Sequence, residues 1–284
     1  MSGQERRDSS FAATILALLM VVTSLSPLAM AEDIADDDLE VFVGDLSGFD
    51  PITGGKEYLF SESPFPIYSA TGFLKSQWRS DGYPDLTLPF SDSYINSRSS
   101  TRSCENAWSV GDTDDVTTAG GSIAATVQKV SSNSAIFVED GQVIPSTTLN
   151  DIASTWESTI FPTVTGYFGS APDVDNTCQI EIVIFSIDGG GGIGGYFVPG
   201  LSSSKESIFM DIDDLSWRNT ILAHEFQHLL HNARDPFEYI WIDEGAADMA
   251  AYLCFGVTGS LTGHANAWSQ NSNMSVRWWN QRIA

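Results

Sequence analysis

One segment constrains the fold more than any other: Ile221-Leu222-Ala223-His224-Glu225-Phe226-Gln227-His228-Leu229-Leu230-His231. His224 and His228 are four residues apart, so on an α-helix they stack on one face and their imidazoles can converge on one ion. Glu225 lies ~100° round the helix from His224, beside the metal face and not on it, where a general base belongs. Leu222, Phe226, Leu229 and Leu230 make this a buried helix. Buried His and Glu need partners, and a metal ion provides them.

A second segment strengthens the first. In Trp241-Ile242-Asp243-Glu244-Gly245-Ala246-Ala247-Asp248, Glu244 and Asp248 also share one helix face. Gly245, Ala246, Ala247, Ala250 and Ala251 are small, so this helix is expected to pack closely against the first. Glu244 would complete a two-His, one-carboxylate site with its fourth position open, the pattern of catalytic rather than structural zinc. Asp248 would accept the second ring N–H of a ligand histidine and fix its tautomer. The alternative is two ordinary packed helices carrying incidental polar residues.

His224-Glu225-x-x-His228 followed by Glu244-x-x-x-Asp248 resembles the gluzincin clan, which includes thermolysin. The wording His-Glu-Phe-Gln-His, then Asp-Glu-Gly-Ala-Ala after a tryptophan, is most similar to hyicolysin-type bacterial and archaeal metallopeptidases. The resemblance is strong over residues 207–256, extends back to about Ala124 and does not cover residues 32–102. It implies a zinc-dependent endopeptidase with a sheet-plus-helix N-terminal lobe and a helical C-terminal lobe. It also implies Glu244 as third ligand and Asp248 as its companion. The metzincin pattern would need a histidine at position 234, where this chain has Arg234. The chain runs only a short way past Glu244, which leaves the expected C-terminal lobe minimal or truncated.

Other candidates rank lower. His231 lies roughly 10 Å along the helix axis from His224, too far to share one ion easily, and reads as a pocket-edge or capping histidine. Tyr239, Tyr252 and His264 are candidates for the donor that stabilises an oxyanion. Asp173-Val174-Asp175-Asn176 lacks the Gly and terminal Glu of a calcium loop and reads as a solvated turn. Gly189 to Gly195 leads into Tyr196-Phe197-Val198-Pro199 and not a helix, which favours a mobile loop over a phosphate cradle.

The remaining elements follow from periodicity. Strands are expected over 123–130, 135–139, 179–185 and 207–210. Leu149, Ile152, Trp156 and Ile160 predict an amphipathic helix over 148–161. Ser216 is expected to cap the His224 helix, which runs to Asn232 before Pro236. The Glu244 helix covers 242–254 and ends at Gly256. Residues 41–104 show no clear helical periodicity.

At its start the chain has Arg6 and Arg7, then an apolar stretch from Phe11 to Leu28, then Ala29-Met30-Ala31 before Glu32. This is a signal-peptide pattern over 1–31, with an uncleaved membrane anchor as the alternative. Residues 32–120 read as a linker, propeptide or small β-rich region, and 121–284 as the metallopeptidase domain. Export permits a disulfide, for which Cys104–Cys178 is the expected pair, leaving Cys254 a buried free thiol. A net charge of −24 opposes binding to nucleic acid or anionic lipid.

These features give an α+β fold of the zincin kind, a mixed sheet packed on the active-site helix. The expected cofactor is Zn2+, the expected partner a protein or peptide substrate, and the expected location secreted or cell-surface. His224, His228 and Glu244 are the expected metal ligands, Glu225 the catalytic base and Asp248 the residue behind them. An aminopeptidase on the same scaffold and an exported, non-catalytic zinc-containing binding protein are the alternatives.

Overall fold

A computed structural model describes residues 69–82, 104, 106–189 and 192–257. The expected signal peptide, the acidic run after it and His264 lie outside these residues. The described elements are α1 (Thr71–Ser80), β1 (Thr113–Thr118), β2 (Gly121–Val130), β3 (Ser134–Glu139), α2 (Ser146–Thr155), α3 (Phe161–Phe168), β4 (Ile180–Phe185), β5 (Gly195–Phe197), β6 (Ser207–Asp211), α4 (Arg218–Asn232) and α5 (Ile240–Phe255). The fold is α+β, as the sequence predicts.

The six strands form one mixed sheet in the order β1-β2-β3-β4-β6-β5. β3, β4 and β6 run parallel, while β1, β2 and β5 pair antiparallel with their neighbours. The three parallel strands read as nearly continuous apolar runs because both of their faces are covered. Alternate side chains point to opposite faces. Ile136, Val138, Ile182, Ile184, Ile208 and Met210 join a core with α2, α3 and α4. Phe137, Val183, Phe185 and Phe209 join a second core that takes in Ala70 and Leu74 of the α1 region.

The helix expected over 148–161 is longer than that. Leu149, Ile152, Trp156 and Ile160 are all buried, but the chain passes through one π turn at Trp156–Ile160 and continues as α3 to Phe168. Gly169, at φ 92°, ends it; that left-handed conformation favours glycine.

Several other expectations are corrected. Residues 41–104 contain a helix, α1. α4 starts at Arg218 after Trp217 with no side-chain cap, so Ser216 does not cap it. Gly195–Phe197 form the edge strand β5 with all three residues buried, so the glycine-rich run is not loop throughout. Asp173 is 5% exposed and Glu206, beside it, is 2% exposed. The Asp173–Asn176 turn is therefore only partly solvated: Asp173 is buried, Val174 and Asp175 are half-buried and Asn176 is exposed. Cys104 and Cys178 form the expected disulfide. Cys254 is free but only half-buried. No helix among the described residues is long and apolar enough to cross a membrane.

Gly195 sets how closely α4 approaches the sheet edge. A Cβ there would stand 2.6 Å from Ile221 Cγ2 and 2.6 Å from the Phe209 carbonyl oxygen. α5 then lies against α4, with Ala247, Ala250 and Ala251 buried. Gly245 is not part of that contact, since a Cβ there would meet nothing within 4 Å.

Candidate metal centre

α4 carries His224, Glu225 and His228, and all three are buried. α5 carries Asp243, Glu244 and, one turn on, Asp248. Packing the two helices together brings two imidazoles and one carboxylate to a point. His224 Nε2 is 3.1 Å from His228 Nε2 and 3.2 Å from Glu244 Oε2. His228 Nε2 is 3.6 Å from the same oxygen. Donors at ~2.0–2.1 Å from one tetrahedral ion stand roughly 3.3 Å from one another. The three measured separations bracket that figure, and the trio could hold a metal ion.

The opposite ring nitrogens explain why these atoms face inward. His224 Nδ1 lies 3.2 Å from Asp248 Oδ1, and His228 Nδ1 lies 3.2 Å from Asp243 Oδ2. A carboxylate at each Nδ1 favours the N–H there and leaves the lone pair on Nε2. Two lone pairs 3.1 Å apart, beside a third acceptor, require a cation between them, a metal ion or a proton. The electrostatics agree. Burial opposes charge on His228, but Asp243 and Glu244 outweigh it and lift its pKa to about 9. His224 is raised well above its ordinary value in the same way, with Asp248 and Glu244 overcoming burial. Glu244 is buried too, yet the two histidines bring it down to about 2.

Glu225 is oriented differently. Its Oε2 accepts a 2.7 Å hydrogen bond from Thr71 Oγ1, while its Oε1 is buried with no hydrogen-bond partner. Burial raises its pKa against the pull of His224 and His228. A buried, unpaired carboxylate oxygen beside three convergent donors has the character of a base awaiting a proton.

The structure therefore brings His224, Glu225, His228, Glu244 and Asp248 to one place. His231 is not in the trio; its Nδ1 lies 3.0 Å from Asp243 Oδ1. Tyr239 is 58% exposed just before α5, and Tyr252 is half-buried within α5. Three residues at the site escaped the sequence reading. Asp243 sits behind His228, Lys75 Nζ binds Asp243 Oδ2 at 2.8 Å, and Thr71 binds Glu225. Asp243 adjoins Glu244 in sequence, and that adjacency is its one available signal. Thr71 and Lys75 lie too far upstream to carry any.

No protein-family model matches the chain, and no curated protein matches it by sequence.

Proposed function

We propose that this chain is a secreted zinc-dependent endopeptidase of the zincin kind, with His224, His228 and Glu244 as ligands and Glu225 as general base. One observation carries the proposal: three convergent donors at ion-ligand separations, next to a buried carboxylate oxygen without a partner. Two imidazoles and one carboxylate suit zinc with an open position, the ligand set of a catalytic site. An α+β fold in which the ligand helix follows a parallel strand and packs beneath an antiparallel edge strand supports the zincin reading. The disulfide and the leader pattern support export.

Zinc, when bound, supplies the Lewis acidity that acidifies water and polarises a carbonyl. The chain's own residues do the rest. Glu225 Oε1 takes a proton from the attacking water and delivers it to the leaving amine. Thr71 holds the other carboxylate oxygen, so the proton has one destination. Asp248 and Asp243 keep each ligand histidine's Nδ1 protonated and its Nε2 inward.

A second reading, a non-catalytic zinc-containing binding protein, is favoured by the depth of Glu225, which is 1% exposed. Hydrolysis of denatured casein by the full chain separates the two. Cleavage that a zinc chelator abolishes and added zinc restores supports the peptidase. Internal cleavage of a peptide with a blocked N-terminus sets an endopeptidase apart from an aminopeptidase. A fully zinc-loaded chain that cleaves nothing favours the binding protein.

A further inference from the structure

Helix α1 contacts β5, α4, α5 and the loop between the two helices. Ala70 N–H, just before it, donates to the Gly195 carbonyl of β5 at 3.0 Å. Thr71 Oγ1 accepts from Phe197 N–H of β5 at 2.7 Å and donates to Glu225 Oε2 of α4 at 2.7 Å. Lys75 Nζ pairs with Asp243 of α5 at 2.8 Å. Arg79 Nη2 donates to the Glu238 carbonyl in the loop between α4 and α5. Thr71 is 0% exposed and Lys75 is 1% exposed.

We infer that Thr71, far upstream of the metal ligands in the chain, is a positioning residue for Glu225. This rests on the peptidase reading above. A hydroxyl has one proton to donate and lone pairs to accept with. The Phe197 N–H occupies the accepting side, so the Thr71 proton is directed to Glu225. That contact fixes one carboxylate oxygen and leaves Oε1 as the one free to exchange a proton. Without it, a buried carboxylate is free to rotate about its terminal torsion, which is broad for Glu.

A second arrangement would have the same contacts block the site, with α1 as a removable inhibitory segment. The lysine argues against this. Withdrawing α1 would strip Asp243, directly behind His228, of its 2.8 Å lysine counter-ion, and breaking a buried ion pair from one side is strongly unfavourable. Leu74 and Trp78 are also buried, as they are in a permanent part of the fold.

The test uses the full, zinc-loaded chain. Thr71→Val keeps the shape and removes the hydroxyl; Thr71→Ser keeps both hydrogen bonds. Leu74→Ala is the structural control, since Leu74 is a core residue of the same helix. Zinc content, melting temperature, kcat and KM are measured on each. Thr71→Val is expected to keep its zinc and its KM while kcat falls about tenfold or more, as misplacing a catalytic group does. Thr71→Ser should restore kcat. Leu74→Ala should melt lower with kcat unchanged. Wild-type kcat in Thr71→Val overturns the positioning role and leaves the peptidase reading standing. A raised kcat overturns it in favour of an inhibitory α1. A zinc-loaded wild type with no activity overturns the peptidase reading and the positioning role together.

Discussion

The Nε2 atoms of His224 and His228 lie 3.1 Å apart, and the Nδ1 atom of each faces a different carboxylate of α5. A cation between them, a proton or a metal ion, would resolve this conflict. Asp243 and Glu244 push His228 up to about 9 against its burial, which favours a proton on the metal-free site at pH 7. Metal binding should therefore release at least one proton, and zinc affinity should rise as pH rises from about 6 to 9. Titration calorimetry in buffers of different ionisation enthalpy reads the proton count. PH-independent affinity with no proton release would contradict the arrangement. Linkage fixes the sign for the metal-free fold as well. The pKa of His228 is raised on folding, so its contribution to stability is full below about 6.5 and is lost as pH rises through about 9.

The Lys75–Asp243 pair is predicted to be needed for the fold around His228. Burial opposes the charge on Asp243, yet His228, His231 and Lys75 hold its pKa well below the usual carboxylate range. Breaking a buried pair from one side costs ~3–5 kcal/mol. Lys75→Met should lose about that much in urea denaturation. The double variant with Asp243→Asn should lose less than the sum of the two single variants. A loss under ~1 kcal/mol for Lys75→Met would show that the pair holds nothing in place.

Gly195→Ala and Gly245→Ala should behave oppositely. At Gly195 the added Cβ meets the Phe209 carbonyl at 2.6 Å and Glu225 Cγ at 3.4 Å. The carbonyl belongs to a paired central strand and cannot swing aside. Overpacking of this kind costs ~1–3 kcal/mol, and displacing Glu225 should lower activity as well. At Gly245 the Cβ enters open space, and alanine gains up to ~1 kcal/mol in helix propensity. Thermal melts of the two variants decide the point; equal shifts would contradict this packing of α4 on β5.

The parts of this protein set by local pattern were legible in its sequence. The i, i+4 spacing placed both histidines on one helix face, and apolar runs marked β3, β4 and β6. The Cys104–Cys178 bridge was expected and is present. What was not legible depends on pairs distant in the chain. Thr71 reaches Glu225 across 154 positions and Lys75 reaches Asp243 across 168, and neither contact leaves a local periodicity. α1 itself was missed because its mean hydropathy is low and its buried face includes Thr71, Gly72 and Lys75. The burial of Asp173 was not legible because the residue it lies beside, Glu206, is distant in the chain.

Under the proposed function metal binding and proton transfer fall to different residues, and Glu225→Gln tests that separation most directly. The amide keeps the shape and the Thr71 contact but has no basic oxygen to take a proton. His224, His228 and Glu244 are untouched. Zinc content and casein hydrolysis are measured on one sample of the full chain at neutral pH. The predicted result is one zinc per chain, as in the wild type, with turnover lowered by the ~10²–10⁴-fold typical of losing a general base. Undiminished turnover in a zinc-loaded Glu225→Gln variant would exclude Glu225 as the general base.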